Sequence, residues 1–141
     1  MSLLMRQSAN QVRPTLRGPI LAAAGVAAAF AVTAALDPNQ PGHYPTCPFL
    51  WTTGWYCPGC GALRAMHALA HGDPVTALQR NPLFVIMLIV GVVLWVRWVR
   101  RAARGERYVM AWPRALQIAT PIIVAGYWII RNVPGFEFLG P

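Results

Sequence analysis

The chain contains no lysine and only four acidic residues among its 141. A soluble domain has roughly a quarter of its residues charged, whereas here the share is 11%. That shortfall moves the expected class to an integral membrane protein. The twelve basic residues are all arginine and give a formal charge of +8. They flank apolar runs and form no basic stripe with interleaved aromatics, so they are read as topology signals and nucleic acid is not expected as a partner. Catalytic and nucleotide-binding constellations are missing too. No acid lies near a serine or threonine nucleophile and its base. Gly59 and Gly61 lack the lysine and spacing of a phosphate-binding loop. The predicted spans hold no acid and no arginine away from their ends, and Gln117 is the one strongly polar side chain within them, which weighs against an ion path built from buried charges. Abundant Ala, Val, Pro and Arg with no lysine fits a high-GC bacterial genome.

What the chain does have is apolar length, with 56% hydrophobic residues and a mean hydropathy of +0.43. Residues 1–18 form a short basic leader. Residues 19–36 are uncharged, and at 1.5 Å per residue they cover about 27 Å, enough for the hydrocarbon core. This run is longer than the apolar core of a signal peptide. It is therefore read as a retained span, although Ala29-Phe30-Ala31 resembles a cleavage site. Residues 37–81 form a Cys/His loop. A second span covers 82–98, a basic loop 99–114, a third span 115–130 with Pro121 inside it, and 131–141 is a tail. The leader and the 99–114 loop with its flanks hold nine arginines, while the Cys/His loop and tail hold Arg64, Arg80 and Arg131. That asymmetry predicts a cytoplasmic N-terminus and an extracytoplasmic Cys/His loop in the bacterial inner membrane. The expected fold is an all-α integral membrane protein with three transmembrane helices and a short helical Cys-rich outer loop. Small residues from Ala22 to Ala29 suit close packing against other membrane helices, which with the lipid bilayer are the expected partners.

The loop has its own punctuation. Gly72 stands where a helix ends in a left-handed residue, and Asp73-Pro74 and Asn81-Pro82 each read as an N-cap followed by a first-turn proline. The aromatics Phe49, Trp51, Trp55 and Tyr56 show no period and are read as a loop at headgroup level. If residues 60–71 are helical, Cys60, Arg64, His67 and His71 share one narrow stripe. His43 lies in a Pro/Gly turn and is read as solvated.

Cys47-Pro48, Cys57-Pro58-Gly59-Cys60-Gly61, Arg64-Ala65, Gly72-Asp73 and Asn81-Pro82 follow one another in an order that resembles a bacterial family of small membrane proteins, domain of unknown function 2752. The resemblance implies a loop of this kind between apolar helices and no established activity.

From the residues themselves, three chemistries stay open. The first is a metal site, with Cys47, Cys57 and Cys60 supplying thiolates and His67 a fourth ligand. Zinc is the natural ion for such a set. The second is thiol–disulfide exchange at Cys57 and Cys60, with Arg64 favouring the thiolate and Cys47 able to resolve a mixed disulfide. The third is a staple, in which Cys47 pairs with Cys57 or Cys60 to hold a loop that has no core. In that case His67 and His71 are interfacial side chains, and His71 caps the helix end. The leading expectation is a non-enzymatic accessory or assembly subunit with a metal- or disulfide-locked outer loop. The alternative is a membrane thiol oxidoreductase.

Overall fold

The computed structural model describes residues 15–106, 113–136 and 139–140. Every helix or strand assigned among them is a helix. In chain order these are α1 (Arg17–Ala35), α2 (Pro48–Thr53), α3 (Ala62–Ala70), α4 (Pro74–Arg80), α5 (Pro82–Ala103) and α6 (Arg114–Ile130). The parts of the expected leader, basic loop and tail at 1–14, 107–112, 137–138 and 141 lie outside the described residues.

Two helices, α1 and α5, are long and apolar enough to cross a membrane. Only 11% and 6% of their most apolar windows is buried by protein, whereas the core helix of a soluble protein is mostly buried. Ile20, Leu21, Val32, Ile86, Ile89 and Val93 are all more than half exposed, as lipid-facing side chains are. The third expected span, α6, is apolar but shorter, with 17 residues, and it carries Pro121 in its interior. Just before that proline, the Thr120 hydroxyl donates to the Leu116 carbonyl at 2.7 Å.

The helix ends follow from local chemistry. Asp73 accepts from the Thr76 amide at 2.9 Å and from the Thr76 hydroxyl at 2.6 Å, which holds its carboxyl below the usual range. Asn81 caps α5 through the Phe84 amide at 2.9 Å. Gly72 has φ +77°, the left-handed conformation that ends a helix without steric cost. Helix α5 continues past the expected end of the apolar span to Ala103, because nothing in Arg97, Arg100 or Arg101 breaks a helix.

Two expectations for the loop are corrected. The aromatic segment is not irregular, since Pro48–Thr53 forms a short helix that Gly54 ends at φ +73°. Nor does the 60–71 helix begin at Cys60. Gly61 is its N-cap at φ +83°, so Cys60 belongs to the preceding turn and leaves the stripe that Arg64, His67 and His71 keep.

Helices α3 and α4 pack together, and α3 also rests on the end of α1. The core between these short helices is built from Ala65, Ala68, Ala77 and Val85, with Leu69 and Phe84 at its edge. At the opposite end of α1, Trp95 Nε1 donates to the Pro19 carbonyl at 2.9 Å. A Cβ on Gly18 would lie 2.9 Å from the Trp98 ring. The start of α1 therefore meets the end of α5, and residues 36–81 gather at the other end of the pair.

Candidate functional site

The three cysteines converge. Their sulfurs all lie within 4.8 Å of one another, with Cys57 at 2.9 Å from Cys60 and 3.6 Å from Cys47. Cys57 and Cys60 bracket a tight turn closed by the Cys60 amide on the Cys57 carbonyl at 3.1 Å. Pro58 and Gly59 fill the two central positions, where a fixed φ and a small residue suit the turn. Cys47 arrives from a separate segment, at the head of α2. Its position before Pro48 keeps its backbone out of the helical region and sets the direction in which α2 leaves.

The thiols are not equivalent. Cys60 is 8% exposed, and burial pushes its pKa up to about 12, with the neighbouring Cys57 thiol adding to the rise. The Cys57 amide, 3.2 Å from the Cys60 sulfur, works in the opposite direction. Cys47 is half-buried and shifted down, chiefly by the Leu50 amide at the start of α2.

The turn is held from two distant places. Asn81, 1% exposed, donates from its side-chain amide to the carbonyls of Pro58 at 3.0 Å and Cys60 at 3.1 Å. Its oxygen caps α5 and also accepts from the Tyr127 hydroxyl at 3.3 Å. Arg131, at the foot of α6, donates to the carbonyls of Cys57 at 2.9 Å and Cys60 at 3.2 Å, with a longer contact to Pro58 at 3.4 Å. Its guanidinium lies against the rings of Tyr56 and Tyr127, at 5.8 and 5.2 Å. Phe49 and Trp55 meet Trp128 edge-on, at 5.5 and 6.5 Å, which closes this end of α6 onto the loop.

His67, expected as a fourth ligand, is not brought to the sulfurs. Its Nδ1 lies 2.7 Å from the Thr33 carbonyl, and its Nε2 faces Asp37 at 3.8 Å. The ring therefore links α3 to the end of α1. The cause is the turn at Gly61, which takes Cys60 off the helical face that His67 occupies. His71 stacks on His67 at 4.3 Å, and its Nδ1 donates to the His67 carbonyl at 2.9 Å, the capping role expected of it. His43 is exposed and contacts the Asp37 carbonyl. Arg64 is half-buried and lines, with Tyr44, Leu50 and the three cysteines, a cleft of about 740 Å³ beside the sulfurs.

Sequence reasoning missed Asn81 and Arg131 as parts of this site. Asn81 carried a visible cap signal that accounted for only one of its two amide ends. Arg131 was counted with the charges that set topology.

Residues 47–95 match the model of a protein family described as a protein of unknown function (DUF2752). The match supports the classification that the resemblance indicated. It spans the three cysteines, α2 to α4 and most of α5, and leaves α1 and α6 outside. No curated protein and no solved structure matches the chain.

Proposed function

We propose that this chain is a membrane-embedded accessory or assembly subunit whose Cys/His loop binds one thiophilic metal ion through Cys47, Cys57 and Cys60. The observation that supports it is the approach of three sulfurs, from two separate segments, to within 4.8 Å of one another. A Zn–S bond is about 2.3 Å long, so sulfurs this close reach a single ion with sub-ångström adjustment. Zinc is the leading candidate, because a compact thiolate set is its usual structural environment. The role proposed is structural and non-enzymatic: the ion locks a loop whose own core is four small residues.

The proposed location is a bacterial inner membrane, with the N-terminus cytoplasmic and α6 as a third span. The arginine distribution supports this orientation. A reporter fused after residue 141 tests it, since cytoplasmic activity there overturns either the orientation or the third span.

A thiol oxidoreductase at Cys57 and Cys60 is the second reading. It is favoured by their 2.9 Å separation and by the burial of Cys60 beside a more exposed Cys57. The position of Cys47 weighs against a relay through all three. Sulfur separations of 3.6 and 2.9 Å, with the third no longer than 4.8 Å, meet at Cys57 in roughly a right angle or less. Thiolate attack on a disulfide needs a nearly in-line approach. The same triangle suits three ligands around one ion.

Metal content per chain after anaerobic purification, measured beside the number of free thiols, separates the readings. One ion per chain with all three thiols protected supports the metal site. One disulfide and one free thiol supports the staple. Three free thiols and no ion, even after anaerobic loading with zinc, would rule out both.

A further inference from the structure

Arg131 is a buried charge whose hydrogen bonds are redundant. It is 3% exposed, and its guanidinium stays protonated at any ordinary pH. Among the described residues the one carboxylate paired with a basic group is Asp37, and its partner is His67. The groups that Arg131 contacts among the described residues are neutral: three carbonyl dipoles and the rings of Tyr56 and Tyr127. Carbonyls take up its two terminal nitrogens while its Nε–H meets no acceptor among those residues, and none of them balances its charge. An unbalanced buried charge is strongly unfavourable.

Each carbonyl that Arg131 reaches already has another donor. The Cys57 carbonyl accepts from the Cys60 amide at 3.1 Å. The Pro58 and Cys60 carbonyls accept from the Asn81 side chain at 3.0 and 3.1 Å. The turn is closed and pinned without Arg131, and what it adds is a buried, fixed positive charge bonded to the turn, where Arg64 in the adjacent cleft is only half-buried. Three thiolates and one divalent ion carry a net single negative charge, equal and opposite to that of Arg131.

We infer that Arg131 is the fixed counter-charge of the three-cysteine site, a positioning residue that favours the deprotonated, metal-loaded turn over the empty one. The inference rests on the metal reading of the site. On loading, three S–H bonds break, three protons pass to solvent, and three bonds to the divalent ion form. The site changes from neutral to singly negative beside Arg131, with no electron transfer.

The test is titration of anaerobic, detergent-solubilised full-length protein with Co²⁺, which gives a thiolate charge-transfer absorption when sulfur binds it. Arg131→Gln keeps hydrogen-bonding ability and loses the charge, so its Co²⁺ affinity is expected to fall about 10–100-fold, the usual effect of an outer-shell change. Arg131→Lys keeps the charge and loses the planar fork, so it should bind within a fewfold of the unaltered protein. Metal-free Arg131→Gln should melt no lower than the unaltered protein, because the hydrogen bonds lost are redundant and an uncompensated buried charge goes with them. Arg131→Gln binding as tightly as the unaltered protein overturns the inference. So does Arg131→Lys binding as poorly as Arg131→Gln while still folded, since that outcome assigns the effect to shape. If Arg131→Gln does not fold, Arg131→Lys decides alone: tight binding upholds the charge role and weak binding ends it. Absence of any thiolate absorption in the unaltered protein removes the metal reading itself, a failure distinct from the other two.

Discussion

Asn132 pairs with the backbone of Tyr56 as a neighbouring strand would. Its side-chain oxygen accepts from the Tyr56 amide at 2.8 Å, and its side-chain nitrogen donates to the Tyr56 carbonyl at 2.9 Å. The same nitrogen also reaches the Trp128 carbonyl at 2.8 Å. One amide thus joins the foot of α6 to the residue immediately before Cys57. Asn132→Leu removes both bonds and leaves two backbone groups of the loop to solvent or unpaired. The expected loss is about 1–3 kcal/mol of stability. Asn132→Gln, with the same groups on a longer arm, should recover part of it. Thermal melts of the two variants check the relationship, and equal midpoints for Leu, Gln and Asn would show that the Asn132 amide adds nothing to the hold of Arg131, Tyr127 and the aromatic contacts.

Removing His67 should leave metal loading intact, because both of its ring nitrogens face α1 and Asp37. His67→Ala is expected to retain full metal content while losing about 0.5–1.5 kcal/mol through the bond to the Thr33 carbonyl. Elemental analysis beside a melting curve checks both halves. Loss of metal with an intact fold would return His67 to the site.

Thiol reactivity should rank the three cysteines in the metal-free protein. With the Cys60 pKa at about 12 and Cys47 shifted down, a small alkylating reagent near neutral pH should modify Cys47 well before Cys60. Mass spectrometry of a time course reads the order directly. The linkage has a definite sign. An unfolded cysteine loses its proton near pH 8.5 while folded Cys60 keeps its own, so Cys60's contribution to metal-free stability is full below that value. It declines as pH rises from there toward about 12. Cys60→Ala should flatten that alkaline decline, and an unchanged slope would show that Cys60 is not its source.

The α3–α4 junction gives a prediction independent of the thiols. A Cβ on Gly72 meets nothing within 4 Å, so the cost of Gly72→Ala comes from its φ of +77° alone. The expected destabilisation is about 1–2 kcal/mol, and Gly72→Asn, which tolerates this region better, should lose less. Asp73→Ala should lower the melting temperature as well, by removing the cap on Thr76. Its effect should fade as pH falls through the depressed Asp73 pKa, where the carboxylate is lost in any case. Neither change should alter metal content.

Much of the loop was legible because its signals are local. Gly72, Asp73-Pro74 and Asn81-Pro82 act on amides within three or four residues, and the structure follows them. Periodicity misled at Cys60, where spacing alone placed it with His67 on one face. The left-handed Gly61 interrupts the helix between them, and no hydrophobic pattern records that break. The aromatic run from Phe49 hid a six-residue helix because one and a half turns is too short to show a period.

The two long apolar helices and the crowding of every cysteine into one short stretch were determined by the sequence itself, since length and composition decide whether a helix is long and apolar enough to cross a bilayer. Which side chains meet the cysteine turn was decided only by tertiary structure. Arg131 and Cys60 are 71 residues apart, and no local rule links them. Their meeting depends on α6 ending where the Cys57–Cys60 turn presents its carbonyls. The Gly61 turn sets His67 apart from the sulfurs, but the partner its ring meets instead, the Thr33 carbonyl at the end of α1, is in reach only once α1 and α3 have packed.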